Sequence, residues 1–138
     1  MPVIEAYHAA LKKIAQHDDF PFNVSPIHGE VEVLQIVVKG REDNPIYMSI
    51  SQSQLLCIAH LFREEDVKPE QELPMLRKMI AMNIPMPLSS FGKMRDLYVV
   101  FGALAADSAL DDVLLELKTL SDNALEASRL LEPFLRQR

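Results

Sequence analysis

The sequence predicts an α+β fold with a mainly antiparallel sheet flanked by an N-terminal, a middle and a long C-terminal helix. Apolar residues recur every three or four positions near both ends of the chain. Alternating and β-branched runs are grouped between these segments, without a strict β–α alternation. Strands grouped in this way pair mainly antiparallel. Because the chain has 138 residues and no linker rich in Gly or Ser, we expect a single domain over residues 1–138.

The first helix is predicted over Val3–Gln16. Its apolar residues form one stripe, at Ile4, Tyr7, Ala10, Leu11 and Ile14. We expect Asp18-Asp19 and Pro21 to end this helix, because proline disfavours helical geometry at the residue before it.

Four strands are predicted in the next forty or so residues. They are a short strand near Phe22–Ile27, a half-buried strand over Val31–Val38, an alternating strand over Ile46–Ser51 and a buried run at Leu55–Phe62. The last run is ambiguous, because periodicity alone does not separate a buried strand from a buried helical turn. Its length and the preceding meander favour a strand.

Helical spacing returns over Glu70–Asn83. The segment Ile84–Pro87 contains two prolines that cannot continue a helix, so it is expected to be an extended edge segment. Gly92-Lys93 is the expected hairpin turn into a strong strand at Leu97–Phe101.

The last element is predicted to be a long amphipathic helix beginning near Leu110. Ser108, followed three residues later by Asp111, resembles a capping box at its start.

Composition and charge weigh against several classes of function. The net charge is −6, whereas nucleic-acid binding needs a basic face. No apolar run approaches the ~20 residues that span a bilayer, and the N-terminus lacks the basic-then-apolar order of a signal peptide. Cys57 is the only cysteine, which fits a reducing compartment. We expect a cytoplasmic protein without a membrane span.

The sequence predicts neither a catalytic site nor a metal site, and no cofactor is expected. Cys57 and His60 form a C-x-x-H pattern without a second ligand pair, and on a strand they point to opposite faces. The apolar neighbours of Cys57 indicate a buried, inert thiol. The spacing of His8, His17 and His28 brings none of them to Cys57. We therefore predict a non-enzymatic protein; the alternative is a small enzyme or ligand-binding protein with a pocket around Cys57 and His60.

The methionines of the middle helix are the most informative feature. Met75, Met79, Met82 and Met86 follow one another at intervals of four, three and four, so the first three share one helix face. Flexible thioether side chains suit a surface that accepts varied apolar partners. The predicted partner-binding residues are Met75, Met79, Met82 and Met86, together with Tyr98 of the strand Leu97–Phe101.

Two alternatives for these methionines stay open. They could pack in the core or in a subunit interface, or capture a soft metal such as copper. The branched residues Leu73, Leu76 and Ile80 supply a competing stripe, which we expect to face the core.

Three strings, together with this order of elements, resemble the YjfI-type family of bacterial proteins of unknown function. They are Phe22–Pro26, Gly29–Val33 and Pro85–Phe91, and the resemblance runs over nearly the whole chain. It implies a small cytoplasmic protein without an assigned activity, sometimes encoded near genes for phage-shock-protein-A-like proteins. A coiled-coil protein of that kind is therefore a candidate partner. The resemblance implies no functional residues.

The topology is also similar, more loosely, to that of type III secretion chaperones. Proteins of that class are small, acidic dimers that hold extended client segments against an apolar surface. The likeness implies a chaperone-like or adaptor-like homodimer that acts through protein–protein contact. Pro85 and Pro87 depart from that pattern, because they would interrupt pairing in one edge strand.

Overall fold

A computed structural model describes residues 3–15 and 20–137, and within them the chain forms three α-helices and six strands. The helices are α1 (Val3–Ile14), α2 (Glu72–Asn83) and α3 (Leu110–Leu131). The strands are β1 (Phe22–Ile27), β2 (Val33–Val38), β3 (Ile46–Ile50), β4 (Gln54–Arg63), β5 (Ser90–Met94) and β6 (Leu97–Ala105). The predicted end of the first helix at Gln16 to Asp19 lies outside the described residues.

The strands form one six-stranded sheet in the order β1-β2-β3-β4-β6-β5, and every neighbouring pair is antiparallel. The predicted α+β class, with its N-terminal, middle and long C-terminal helices, is confirmed. The ambiguous run Leu55–Phe62 lies entirely within β4 and is a strand, as predicted. A β-bulge between His60 and Phe62 shifts the register of β4 against β6.

One face of the sheet carries the main core. Alternate residues of β2, β3 and β4 are buried, and they pack with the apolar stripes of α1 and α3. In α3 this stripe includes Val113, Leu117 and Leu120. Burying a large aliphatic side chain contributes about 1.5–3 kcal/mol, so these residues hold α3 on the sheet. The Tyr7 hydroxyl of α1 donates a 2.6 Å hydrogen bond to the carbonyl oxygen of Ser108, just before α3.

A second, smaller cluster joins α2 to one end of the same face. Its buried members are Phe62, Val67, Met75, Met79, Tyr98 and Leu131. Among residues 3–15 and 20–137, no helix packs on the opposite face of the sheet, where the outward residues of β2, β3 and β4 are only partly buried. No helix in this described part of the chain is long and apolar enough to cross a bilayer.

The turn between β5 and β6 does not lie where the sequence predicts it. Gly92 and Lys93 belong to β5, and the turn falls at Arg95 and Asp96, where Arg95 has a φ of 56°. Gly92 is needed in the strand for another reason. A Cβ there would lie 2.9 Å from the Phe101 ring, which crosses the glycine at close range.

The segment Ile84–Pro87 is not an extended edge strand. Ile84 keeps helical dihedral angles (φ −65°, ψ −51°), and the chain bends before β5 begins. Prolines donate no backbone hydrogen bond to a neighbouring strand. The carbonyl oxygen of Pro87 is held instead by the Asn123 side chain of α3, which donates a 2.9 Å hydrogen bond.

The predicted capping box is also wrong. The residue before α3 is Ala109, which makes no side-chain cap. The Ser108 hydroxyl donates to the carbonyl oxygen of Ala105 at 2.7 Å, so it closes the turn after β6.

Candidate partner-binding surface

The structure reverses the two stripes that the sequence indicated on α2. Met75 and Met79 are buried in the small cluster, while Leu73 and Ile80 expose 58% and 69% of their surface. The expectation that Leu73 and Ile80 face the core is therefore wrong, and only Leu76 of that set is partly buried. Met75 and Met79 pack in a cluster with the aromatic rings of Phe62 and Tyr98, and flexible unbranched methionine adapts to such neighbours more readily than branched residues do.

Tyr98 lies beneath α2 and is almost fully buried. Its ring packs against Phe62 with centroids 5.5 Å apart, and its hydroxyl donates a 3.0 Å hydrogen bond to the Glu72 carboxylate. Burial, and to a smaller extent the hydrogen bond to Glu72, raises the pKa of Tyr98 to about 12. The Lys93 ammonium lies 5.2 Å from the centre of the ring. Tyr98 thus anchors α2 to the sheet.

Met82 and Met86 are brought together at a more open place. Both are partly buried, and they line a shallow apolar pocket of about 250 Å³ between the end of α2 and α3. We call it the methionine pocket; its walls are Met82, Pro85, Met86, Pro87, Asn123, Glu126, Ala127 and Leu130. Of the predicted site residues, these two meet at the methionine pocket, whereas Met75, Met79 and Tyr98 meet in the small buried cluster.

A second pocket lies on the other side of α2. It has about 190 Å³ of space and is bounded by α2 and the edge strand β5. We call it the β5 pocket; its walls are Leu76, Met79, Ile80, Asn83, Phe91, Gly92, Lys93 and Tyr98. The Asn83 side chain accepts a 2.7 Å hydrogen bond from the backbone N–H of Phe91 and so fixes the end of α2 to β5.

On the face away from the small cluster, α2 presents an exposed apolar stripe. It consists of Leu73, Ile80 and Ile84, spaced seven and four residues apart, and Ile84 exposes 89% of its surface. We call these three residues the α2 stripe. The sequence contained the signal, since this spacing places all three on one helix face. Apolar character alone could not tell which of the two stripes of α2 lies outside.

Cys57 and His60 do not share a site. Cys57 is fully buried in the main core. Burial, and to a smaller extent the charge of Glu116, raises the pKa of its thiol. His60 lies on the opposite face, stacked on Tyr47 with ring centroids 4.5 Å apart. Burial, with a smaller contribution from Arg63, lowers the pKa of His60. The two side chains thus point away from each other, as their spacing on a strand predicts.

Glu116 of α3 is a buried acid that the sequence analysis did not single out. Only 2% of it is exposed, and its Oε2 has no hydrogen-bond partner within the described part of the chain. Its carboxyl group lies over Gly102 of β6, where an added Cβ would lie 2.6 Å from Oε1. Burial raises the pKa of Glu116. Within residues 3–15 and 20–137, no three His, Cys, Asp or Glu side chains are grouped to hold a metal ion; His17 lies outside these ranges.

Comparison with known proteins agrees with this architecture. Over 53 residues the chain is 45% identical to the uncharacterized protein YjfI of Escherichia coli K12. This match covers 36% of the chain and 40% of YjfI, so the aligned part is about two-fifths of that relative.

Two solved structures share the fold. Escherichia coli YbjN is 16% identical with a TM-score of 0.67, covering 99% of this chain and 97% of YbjN. The Yersinia pestis type III secretion chaperone SycH, solved in complex with a stable fragment of YscM2, is 15% identical with a TM-score of 0.56. That match covers 88% of this chain and 99% of the compared chain. At such identities the likeness concerns the fold alone.

The sequence also matches a family over residues 3–135, nearly its whole length. This match and the identity to YjfI confirm the resemblance found in the sequence. The chain belongs to the DUF2170 family, described as uncharacterized proteins conserved in bacteria.

Proposed function

We propose that this protein is a non-enzymatic, cytoplasmic, adaptor-like or chaperone-like protein that binds another polypeptide through the α2 stripe. The observation that carries the proposal is the exposure of Leu73, Ile80 and Ile84 on one face of a helix whose other face is firmly buried. Contiguous exposed apolar surface marks an interaction site more often than an isolated exposed leucine does.

The α2 stripe is a ridge that continues into the β5 pocket, because Ile80 forms a wall of that pocket. Eleven residues separate Leu73 from Ile84, which corresponds to a ridge about 16 Å long at 1.5 Å per residue. The methionine pocket lies on the other side of α2, where Met82 shares the helix face of Met75 and Met79. A partner segment lying along the ridge could insert apolar side chains into the β5 pocket, and one that continues around the end of α2 past Ile84 could reach the methionine pocket. Burial of apolar area stabilises such a complex by about 25 cal/mol per Å² before the cost of association.

The predicted site residues have different roles in this proposal. Met82 and Met86 contact the partner, because their thioethers adapt to side chains of different shape. Met75, Met79 and Tyr98 hold α2 against the sheet and so keep the stripe in place. This division follows from their burial.

Two findings support a protein as the partner. The solved relative SycH shares the fold and was crystallised with a protein fragment, and the exposed surface is apolar rather than basic. The resemblance to YjfI-type proteins makes a phage-shock-protein-A-like coiled-coil protein the specific candidate. The apolar seam of a coiled-coil helix offers side chains at the three-and-four spacing that matches such a ridge. We further propose that the chain acts as a homodimer.

Affinity purification of the tagged protein from its native host tests this function. We expect Ile80→Glu to lose the partners of the native protein, because a charge in the stripe would be desolvated on binding. Leu115→Glu is the matched control, since Leu115 is 57% exposed on α3, away from both pockets. It should retain those partners. Thermal unfolding should show that both variants fold.

A double variant, Met82→Ala with Met86→Ala, probes the methionine pocket and should weaken partner capture without abolishing it. If the native protein and both glutamate variants capture the same proteins, the α2 stripe is not the binding surface.

A further inference from the structure

The face of the sheet opposite the helices has an unusual composition. The strand register places a defined set of side chains on this side. They are Asn23, Ser25, Ile27, Val33, Gln35, Val37, Tyr47, Ser49, Gln54, Leu56, Ile58, His60, Ser90, Gly92, Met94, Leu97, Val99, Phe101, Ala103 and Ala105. We call this surface the open sheet face.

None of these residues carries a formal charge, although a quarter of all residues in the chain are Asp, Glu, Lys or Arg. Within the described strands, Arg63 is the one charged residue on this side. It ends β4 at the rim, where it pairs with Asp96 at 3.2 Å. A solvated sheet face normally alternates apolar inward residues with polar and charged outward ones. The open sheet face therefore differs from an ordinary solvent-facing surface.

Polar side chains at its centre contact one another within the chain. Gln35 donates a 3.0 Å hydrogen bond to the Tyr47 hydroxyl, and Tyr47 stacks on His60. Ile58 is the cross-strand partner of Tyr47. Next to them, the Phe101 ring lies close to Gly92 of the neighbouring strand. The Gln35–Tyr47 hydrogen bond can stay intact when the region is covered, which limits the cost of desolvating these two side chains.

The size of the face suits a stable protein interface. At about 3.3 Å per residue and 4.8 Å between strands, the sheet presents roughly 600 Å² on each side. Two such faces together provide about 1,200 Å², which is the lower end of the range for specific interfaces. Sheets that pack face to face lie about 10 Å apart, with their side chains interdigitated.

We propose that the open sheet face is the interface between two copies of this chain, which pack sheet against sheet about a two-fold axis. In such an interface the same patch meets itself, so any charge near the axis would face its own copy. A face without charge avoids that repulsion. Each chain has a net charge of −6, so two copies repel overall, and a contact through a face without charge adds least to that repulsion.

This inference rests on the homodimer in the proposed function and gives it a location. It leaves the α2 stripe free, because α2 packs on the other side of the sheet. Partner binding and self-association are then separate properties, and Gly92 is the one residue that belongs both to the β5 pocket and to the open sheet face.

The test uses the full chain, with its mass measured by light scattering after size exclusion and by sedimentation. The native protein should have a mass near twice 15.6 kDa. Ala103→Glu adds a charge at an exposed position of the face and should raise the dimer dissociation constant by about tenfold or more. Ile58→Glu at the centre should have a larger effect. Ala103→Ser adds no charge and should stay dimeric, as should Leu115→Glu on α3.

Circular dichroism and the thermal midpoint show that each variant is folded, and Ala103→Glu serves where Ile58→Glu fails to fold. The midpoint of the native protein should rise with protein concentration, whereas that of Ala103→Glu should not. A native chain that is monomeric at high concentration would overturn the inference, and so would a dimer that survives Ala103→Glu. A dimer lost in Ile80→Glu would also overturn it and would place the interface at α2. A dimer that is retained in Ile80→Glu and lost in Ala103→Glu supports the inference, whether or not Ile80→Glu still captures the partner.

Discussion

Replacing Glu116 with Gln should make the protein more stable near pH 8 and leave its stability almost unchanged near pH 4.5. Glu116 is 2% exposed, and its Oε2 has no partner within the described residues. A glutamine of the same shape removes the charge without emptying the space. The comparison therefore isolates the cost of ionising a buried carboxyl group.

The direction follows from the raised pKa of Glu116 in the folded protein. As pH rises past the ordinary value of 4.5, the unfolded chain releases this proton while the folded chain retains it. Unfolding is then favoured progressively, until the folded state is also ionised. The native protein thus loses stability relative to Glu116→Gln from about pH 4.5 upward, with a slope of at most about 1.4 kcal/mol per pH unit for one proton.

The difference should grow above pH 4.5 by at most about 1.4 kcal/mol per pH unit and level off once the carboxyl group of the folded chain is ionised. Urea unfolding of both proteins at pH 4.5, 6, 7 and 8 measures it. The other titrating groups are common to both proteins, so their contributions cancel in the difference. Equal free energies of unfolding at every pH would show that Glu116 is solvated or paired in the folded chain, and the reasoning would be refuted.

Three further predictions follow from the packing. Gly102→Ala should lower the free energy of unfolding by about 1–3 kcal/mol, because its Cβ would lie 2.6 Å from Glu116. A double variant with Glu116→Ala should regain part of this loss, as urea titration can measure. Additive losses in the double variant would contradict the contact. Met75→Ala should lower the free energy of unfolding by about 2–5 kcal/mol. Ile80 exposes 69% of its surface, so Ile80→Ala should change that free energy by less than about 0.5 kcal/mol. Similar losses of stability in thermal unfolding of the two variants would contradict the orientation of α2. Cys57 should resist iodoacetamide at pH 8, because its thiol is buried and has a raised pKa. It should react after the chain is unfolded in urea, and mass spectrometry measures both reactions. Rapid labelling of the native chain would place the thiol at the surface.

The strands could be predicted well because their signal is local. In β2 and β3, alternate residues are buried, so the pattern in the sequence is the pattern in the fold. The run Leu55–Phe62 was harder, because both faces of β4 are largely apolar. The length of the run and the preceding meander favoured a strand, and this prediction is confirmed.

The turn and loop errors arose where tertiary contacts override local preference. Gly92 read as a turn residue, yet the Phe101 ring across the strand requires the glycine there. The turn falls instead on Arg95, a residue that rarely adopts positive φ. Pro87 read as part of an edge strand, but its carbonyl oxygen is held by Asn123, which is far away in sequence.

The candidate site could be predicted only in part, since α2 is apolar on two faces. Periodicity located Met75 and Met79 on one face and Leu73 and Ile80 on another. Which of these lies outside depends on the side chains that β4, β6 and α3 present to α2, and the sequence of one helix does not contain that information. The burial of Glu116 could not be predicted for the same reason, because its carboxyl group packs against Gly102 in a different element.

Isoleucine-methyl NMR of the folded protein, titrated with the purified partner obtained by affinity capture, tests the α2 surface most directly. The δ1-methyl resonances of Ile80 and Ile84 should shift or broaden on binding, while those of Ile36 and Ile46, which are fully buried in the main core, should stay in place. Unchanged Ile80 and Ile84 resonances in a saturated complex would show that the partner binds elsewhere and would contradict the proposed function.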